Sequence, residues 1–255
     1  GQLKTGWESF ALDATTFSQH GTRYLLWAQK DPALDSNTNL YLAKMDTPTS
    51  IVPPAVRLSQ PEFAWEKVRY AVNEGPAILH RHGRFFLTYS AAGTGAEYCL
   101  GLLSADENAD LLDPNSWTKS PQPVFTSSEQ NGIYGPGHNC FTTTPDGETD
   151  LLVYHARNYR DIPGDPLHDP NRHTRVQPVA WRLDGTPDFG RPAPESRPER
   201  APLAAGDRWD APHAANPILP GYYADPSLVE FEGRFFLYAT LDPWGGQTLG
   251  CWESP

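Results

Sequence analysis

The sequence predicts an all-β chain, on three observations. In 255 residues there are 26 prolines and 21 glycines, with 12% aromatic residues, a composition suited to many short strands joined by tight turns. Apolar segments come in pairs around a short polar turn that ends in glycine, as β-hairpins do. The third observation is recurrence: the turn glycines Gly21, Gly83, Gly147 and Gly233 lie 62, 64 and 86 residues apart. Antiparallel units repeated at this length mark a β-propeller, whose sheets of about four strands surround a channel.

Each unit can be followed in order. In the first, Phe10–Phe17 and Tyr24–Ala28 flank the turn at Gly21, Asn39–Met45 is a third strand, and a proline-rich connection through Pro53 and Pro54 leads to Ala55–Leu58. The second begins at Glu74, turns at Gly83 and continues through Tyr98–Leu103 to a loop at Asp113–Trp117. The third runs from Tyr134 to Phe141, turns at Gly147, returns along Asp150–His155 and adds Arg175–Leu183 after a polar loop. Residues 191–213, rich in Pro, Ala and Arg, read as a linker. Beyond it, residues 214–255 form a fourth unit turning at Gly233.

Aligning the units brings out the chemistry. Asp13 and Asp225 precede their turn glycines by eight residues, Glu74 and His138 by nine. In a propeller the innermost strands run side by side along the channel, so these four positions should meet at one mouth. A lone Asp before a strand is usually a turn or cap residue; the repetition favours a shared site. Paired carboxylates suit glycoside hydrolysis, in which one acid protonates the leaving oxygen and a second carboxylate activates water or attacks the sugar. A third carboxylate nearby would keep the acid protonated near neutral pH.

The stretches Asn73-Glu74-Gly75-Pro76, Gly135-Pro136-Gly137-His138-Asn139 and Ala224-Asp225-Pro226-Ser227 resemble motifs of glycoside hydrolase family 43. With Leu87–Ala91 and Tyr154–Tyr159, they look most like its exo-acting α-L-arabinofuranosidases. The resemblance implies a five-bladed propeller that cleaves arabinan or arabinoxylan with inversion. It implies that Glu74 is the general acid, Asp13 tunes it and orients substrate, and Asp225 is the general base. Arg175, Asn73, His138 and Trp65 become substrate-binding candidates, with His138 also the candidate for an axial calcium or water site. No cofactor is required. The implied partner is a plant cell-wall oligo- or polysaccharide, and the implied location is extracellular.

The motif order departs from that family, where the unit resembling 214–255 comes first. One explanation is a fragment of a tandem protein, with residues 1–190 the last three blades of one domain and 214–255 the first blade of another. The other is a circular permutation, with both parts in one ring. Four inner hairpins where five are expected favour an incomplete propeller and the fragment, and the first and last residues suggest further domains of a longer parent chain. The alternatives to hydrolysis of arabinosides are a carbohydrate-binding propeller without catalysis and a β-xylosidase- or β-fructosidase-type enzyme.

Composition excludes several classes. The net charge of -11 disfavours nucleic acid and anionic membranes, which select clustered Lys and Arg. No apolar stretch approaches the roughly 20 residues of a membrane helix. Cys99, Cys140 and Cys251 are odd in number and lack CxxC spacing, so buried thiols are expected instead of a disulfide framework. His155, His168 and His173 match no compact zinc pattern. Trp244 is a further surface aromatic candidate.

Overall fold

A computed structural model describes residues 3–169, 171–196, 216–218, 223–241 and 249–253. The linker assigned to 191–213 and the aromatic candidate Trp244 lie mostly or wholly outside these residues. Four antiparallel sheets carry the described fold: β1(Ala11–Gln19) to β4(Ser50–Ser59), β5(Asn73–Arg81) to β8(Thr118–Lys119), β9(Tyr134–Thr143) to β11(His173–Pro178), and β14(Tyr223–Phe231) to β16(Leu249–Glu253). Strands within each sheet follow chain order. The remaining ladder is the short ribbon of β12(Ala180–Trp181) and β13(Pro187–Asp188).

The first strands of the four sheets pack in succession, β1 on β5, β5 on β9 and β9 on β14. This is the arrangement expected of the inner strands of a propeller-like fold. Apolar side chains fill the wedges between sheets. Leu26, Leu40 and Leu42 meet Phe85, Leu87 and Tyr89 in the first wedge, and Phe86 and Leu100 meet Leu152 and Tyr154 in the second. Val153 and Leu237 join the third and fourth sheets.

Three of the four turns are two-residue hairpins with both residues in the left-handed region. They are His20-Gly21 (φ 47° and 79°), His82-Gly83 (54° and 70°) and Glu232-Gly233 (52° and 77°). That is the type I′ geometry that matches strand twist, and the pairings Gln19 with Thr22, Arg81 with Arg84 and Phe231 with Arg234 fit it. The third hairpin has a longer loop in which Thr143 pairs with Asp150.

Some expectations need correction. Pro53 and Pro54 belong to β4, the edge strand of its sheet, where a missing N–H costs no ladder bond. The expected strand Arg175–Leu183 divides into β11 and β12, which belong to different ladders. Cys99 is buried and Cys140 partly buried, but Cys251 is exposed on β16.

Candidate active site

Each inner strand carries a bulge at the same place. The ladders shift register between Leu12 and Thr15, between Glu74 and Ala77, and between Ala224 and Ser227. On β9 the shift falls between Gly137 and Cys140. The first residue of each bulge is left-handed: Asp13 (φ 56°), Gly75 (54°), His138 (47°) and Asp225 (54°). Asp and His tolerate this region better than most residues, and bulges commonly re-aim side chains next to active sites.

The structural repeat therefore equates Asp13, His138 and Asp225 with Gly75, one residue beyond Glu74. Gly75 has a reason to lack a side chain. A Cβ there would stand 3.2 Å from the His138 ring, and its N–H donates to Asp13 Oδ2 at 2.9 Å.

Asp13, Glu74, His138 and Asp225 are brought together. His138 Nδ1 is 3.2 Å from Asp225 Oδ1, and its Nε2 is 3.8 Å from Asp13 Oδ1. The His138 backbone N–H donates to Ser90 Oγ at 2.7 Å. Asp225 Oδ1 also lies 3.2 Å from His155 Nδ1 and 3.5 Å from Arg172. Glu74 accepts a hydrogen bond from the Tyr98 hydroxyl at 2.7 Å.

Electrostatics separates these carboxylates. Burial, reinforced by the Asp13 charge, pushes Glu74 up to about 7, so it holds its proton near neutrality. Burial also raises Asp13, against the pull of His138. Burial would raise Asp225 too, but His138 and Arg172 outweigh it and hold that carboxyl far below the usual range. Burial disfavours the charged form of His138, yet Asp225 and Asp13 raise its pKa on balance. The sequence reading credited the neighbouring carboxylate with raising Glu74; burial is the larger cause.

The other candidates have structural partners or deep burial of their own. Arg175 is fully buried on β11, and its guanidinium has no hydrogen-bond partner among the described residues. The arginine beside the cluster is Arg172, in the loop before β11. Asn73 is fully buried, with its amide N–H groups committed to Glu66 and the Val72 carbonyl and its oxygen accepting from Ser59. Trp65 stacks with Phe63 and Tyr89 and donates its indole N–H to the Pro121 carbonyl. Tyr98 and Arg172 were not singled out from sequence, although Arg172 is three residues from Arg175 and of the same type; Ser90 and His155 fall in stretches that carry the family resemblance, and His155 was weighed only as a zinc ligand.

The fit of a calcium ion at His138 can be judged from its donors. Calcium takes 6–8 oxygen ligands, whereas His138 presents ring nitrogens that face the carboxylates of Asp225 and Asp13. Among the described residues, no group of His, Cys, Asp and Glu has metal-holding geometry. The residues do not fit a metal site.

The model of the family described as "Glycosyl hydrolases family 43" matches residues 1–187. The chain belongs to that family. It is 59% identical over 192 residues to an extracellular exo-α-(1→5)-L-arabinofuranosidase of Streptomyces avermitilis, covering 75% of this chain and 40% of that protein. An α-L-arabinofuranosidase of Humicola insolens is 54% identical over 207 residues, covering 80% of this chain and 43% of its own length. The family 43 chain thus spans less than half the length of these relatives. The crystal structure of an α-L-arabinofuranosidase from Lactobacillus brevis superposes with a TM-score of 0.74 at 57% identity, covering 76% of this chain and 60% of that one.

Proposed function

We propose that this family 43 chain carries the site of an inverting glycoside hydrolase that removes α-L-arabinofuranosyl units from arabinan or arabinoxylan. The observation that carries the proposal is the opposite setting of two carboxylates around one histidine. Glu74 is raised to about 7 while Asp225, beside His138, is held ionised. General acid and base assignments follow from such separation. Relatives named arabinofuranosidases at more than half identity support the choice of sugar.

In the proposed mechanism, Glu74 donates its proton to the glycosidic oxygen as the bond to the anomeric carbon breaks. Asp225 takes a proton from water attacking the opposite face. Asp13, fixed by the Gly75 N–H, orients substrate and keeps Glu74 protonated. Arg172 and His138 keep Asp225 ionised. The buried Arg175, Asn73 and Trp65 act through packing in this reading.

The closeness of Asp225 to His138 supports one shared site, with the sheet of β14 to β16 in the same ring as the three sheets before it. This favours the permuted arrangement over the tandem fragment. We read the ring as a five-bladed plan that is incomplete in this chain, acting outside the cell on plant cell-wall material.

The test is release of nitrophenol from 4-nitrophenyl α-L-arabinofuranoside, with the anomer of the released sugar followed by proton NMR. Wild-type protein should release arabinose with inversion, and Glu74→Gln should abolish turnover while leaving the fold intact. Wild-type-like hydrolysis by Glu74→Gln would overturn the assignment.

A further inference from the structure

Tyr98 has no role in the proton transfers above, yet it joins the two halves of the site. Its ring is fully buried and its hydroxyl donates to Glu74 at 2.7 Å. The ring stacks on His155, with centroids 5.7 Å apart and planes 3° from parallel. His155 is equally buried, and its Nδ1 accepts the backbone N–H of Asp225 at 3.2 Å. A continuous path therefore runs from Glu74 through Tyr98 and His155 to Asp225.

The surrounding backbone leaves room for this arrangement. Gly137 lies against the Tyr98 ring, and a Cβ at that position would overlap the ring outright. Gly137 also pairs with His155 across the ladder, so one glycine opens the space in which tyrosine and imidazole lie face to face. Offset-parallel aromatic pairs of this kind are directional contacts that resist relative rotation.

We propose that Tyr98 and His155 are a stacked pair of positioning residues that hold the acid Glu74 and the base Asp225 in mutual register. The proposal rests on the hydrolytic reading. A neutral His155 suits the role, because an acceptor nitrogen must face the Asp225 N–H, and burial pushes the imidazole down to about 3. Burial and the nearby Glu74 likewise keep the Tyr98 hydroxyl protonated as a donor. Its bond favours the ionised form of Glu74, against burial and Asp13; His138 and Asp225 are the other charged groups acting on that carboxyl.

The experiment combines a carbon-13 NMR titration of the Glu74 carboxyl with kcat and KM on 4-nitrophenyl α-L-arabinofuranoside, for wild type, Tyr98→Phe, His155→Asn and His155→Leu. Tyr98→Phe keeps the ring and loses only the hydroxyl. It should raise the Glu74 pKa, move the alkaline limb of the rate profile upward, and lower kcat roughly 10–100-fold with little change in KM. His155→Asn retains an acceptor for the Asp225 N–H and should keep more activity than His155→Leu at similar melting temperatures. An unchanged Glu74 titration and kcat in Tyr98→Phe would overturn the proposal, as would equal activity of the two His155 variants. If wild type releases no arabinose, the hydrolytic reading fails, and the titration alone then decides whether Tyr98 governs Glu74.

Discussion

Glu66 and Glu74 are eight residues apart in sequence, both are withdrawn from water, and they end in opposite states. Glu66 is fully buried and amply partnered. It accepts from the backbone N–H groups of Glu62 and Phe63 at 2.7 and 2.8 Å, from Asn73 and Tyr89 at 2.9 Å each, and from Lys119 at 2.7 Å. Burial pushes it up, but Lys119 and the backbone donors prevail and its pKa is lowered. Glu74 has the Tyr98 hydroxyl as its hydrogen-bond partner and Asp13 close by, so burial prevails. The comparison teaches that donors, not depth, decide whether a buried carboxylate is a structural anion or a proton store.

Exchanging each carboxylate for its amide should separate the two roles. Glu74→Gln should lower kcat by roughly 10²–10⁴-fold, the range for loss of a general acid, with a melting temperature no lower than that of wild type. Glu66→Gln should do the reverse, costing roughly 3–5 kcal/mol of stability because Lys119 loses its buried partner. Activity assays beside urea titrations would check both. If Glu66→Gln were as inactive as Glu74→Gln while equally stable, the division would collapse.

The pH dependence of stability should also differ in sign. The lowered pKa of Glu66 contributes stability that is present above the ordinary carboxylate value and lost as pH falls through the folded one. For Glu74, raised from 4.5 to about 7, the favourable state is the protonated one. Its contribution is complete below about 4.5 and lost as pH rises through about 7. Glu74→Gln should therefore melt at a higher temperature than wild type at pH 8, with the difference vanishing toward pH 4. Activity should fall across the same upper window, since the proposed mechanism needs the proton on Glu74. The smallest effect expected is that of Tyr89→Phe, which removes one donor to Glu66 and should cost about 1–3 kcal/mol with kcat unchanged.

Much of the frame was legible because it rests on local rules. Hairpin glycines were found from sequence because type I′ turns require positive φ, and the distance back from each glycine located Asp13, His138 and Asp225. Glu74, nine residues before Gly83, stands one short of the equivalent place; eight residues back, as for Asp13 and Asp225, is Gly75, which has the shared left-handed backbone. Arg172 and Arg175 show the limit of reading by resemblance. Three residues apart, one ends in the loop beside Asp225 and the other inside the strand ladder facing Tyr154. Tyr98 and His155 were invisible as a pair because their contact joins two sheets and depends on Gly137 lacking a side chain.

The central claim is that Asp225, from the last described sheet, works with Glu74 in one site. The most direct measurement is the hydrolysis rate of 4-nitrophenyl α-L-arabinofuranoside by Asp225→Asn, compared with wild type at pH 6. The account predicts that wild type turns over and that the variant, folded and melting normally, loses activity roughly 10²–10⁴-fold, as expected when a general base is removed. Equal rates for the two proteins would contradict it.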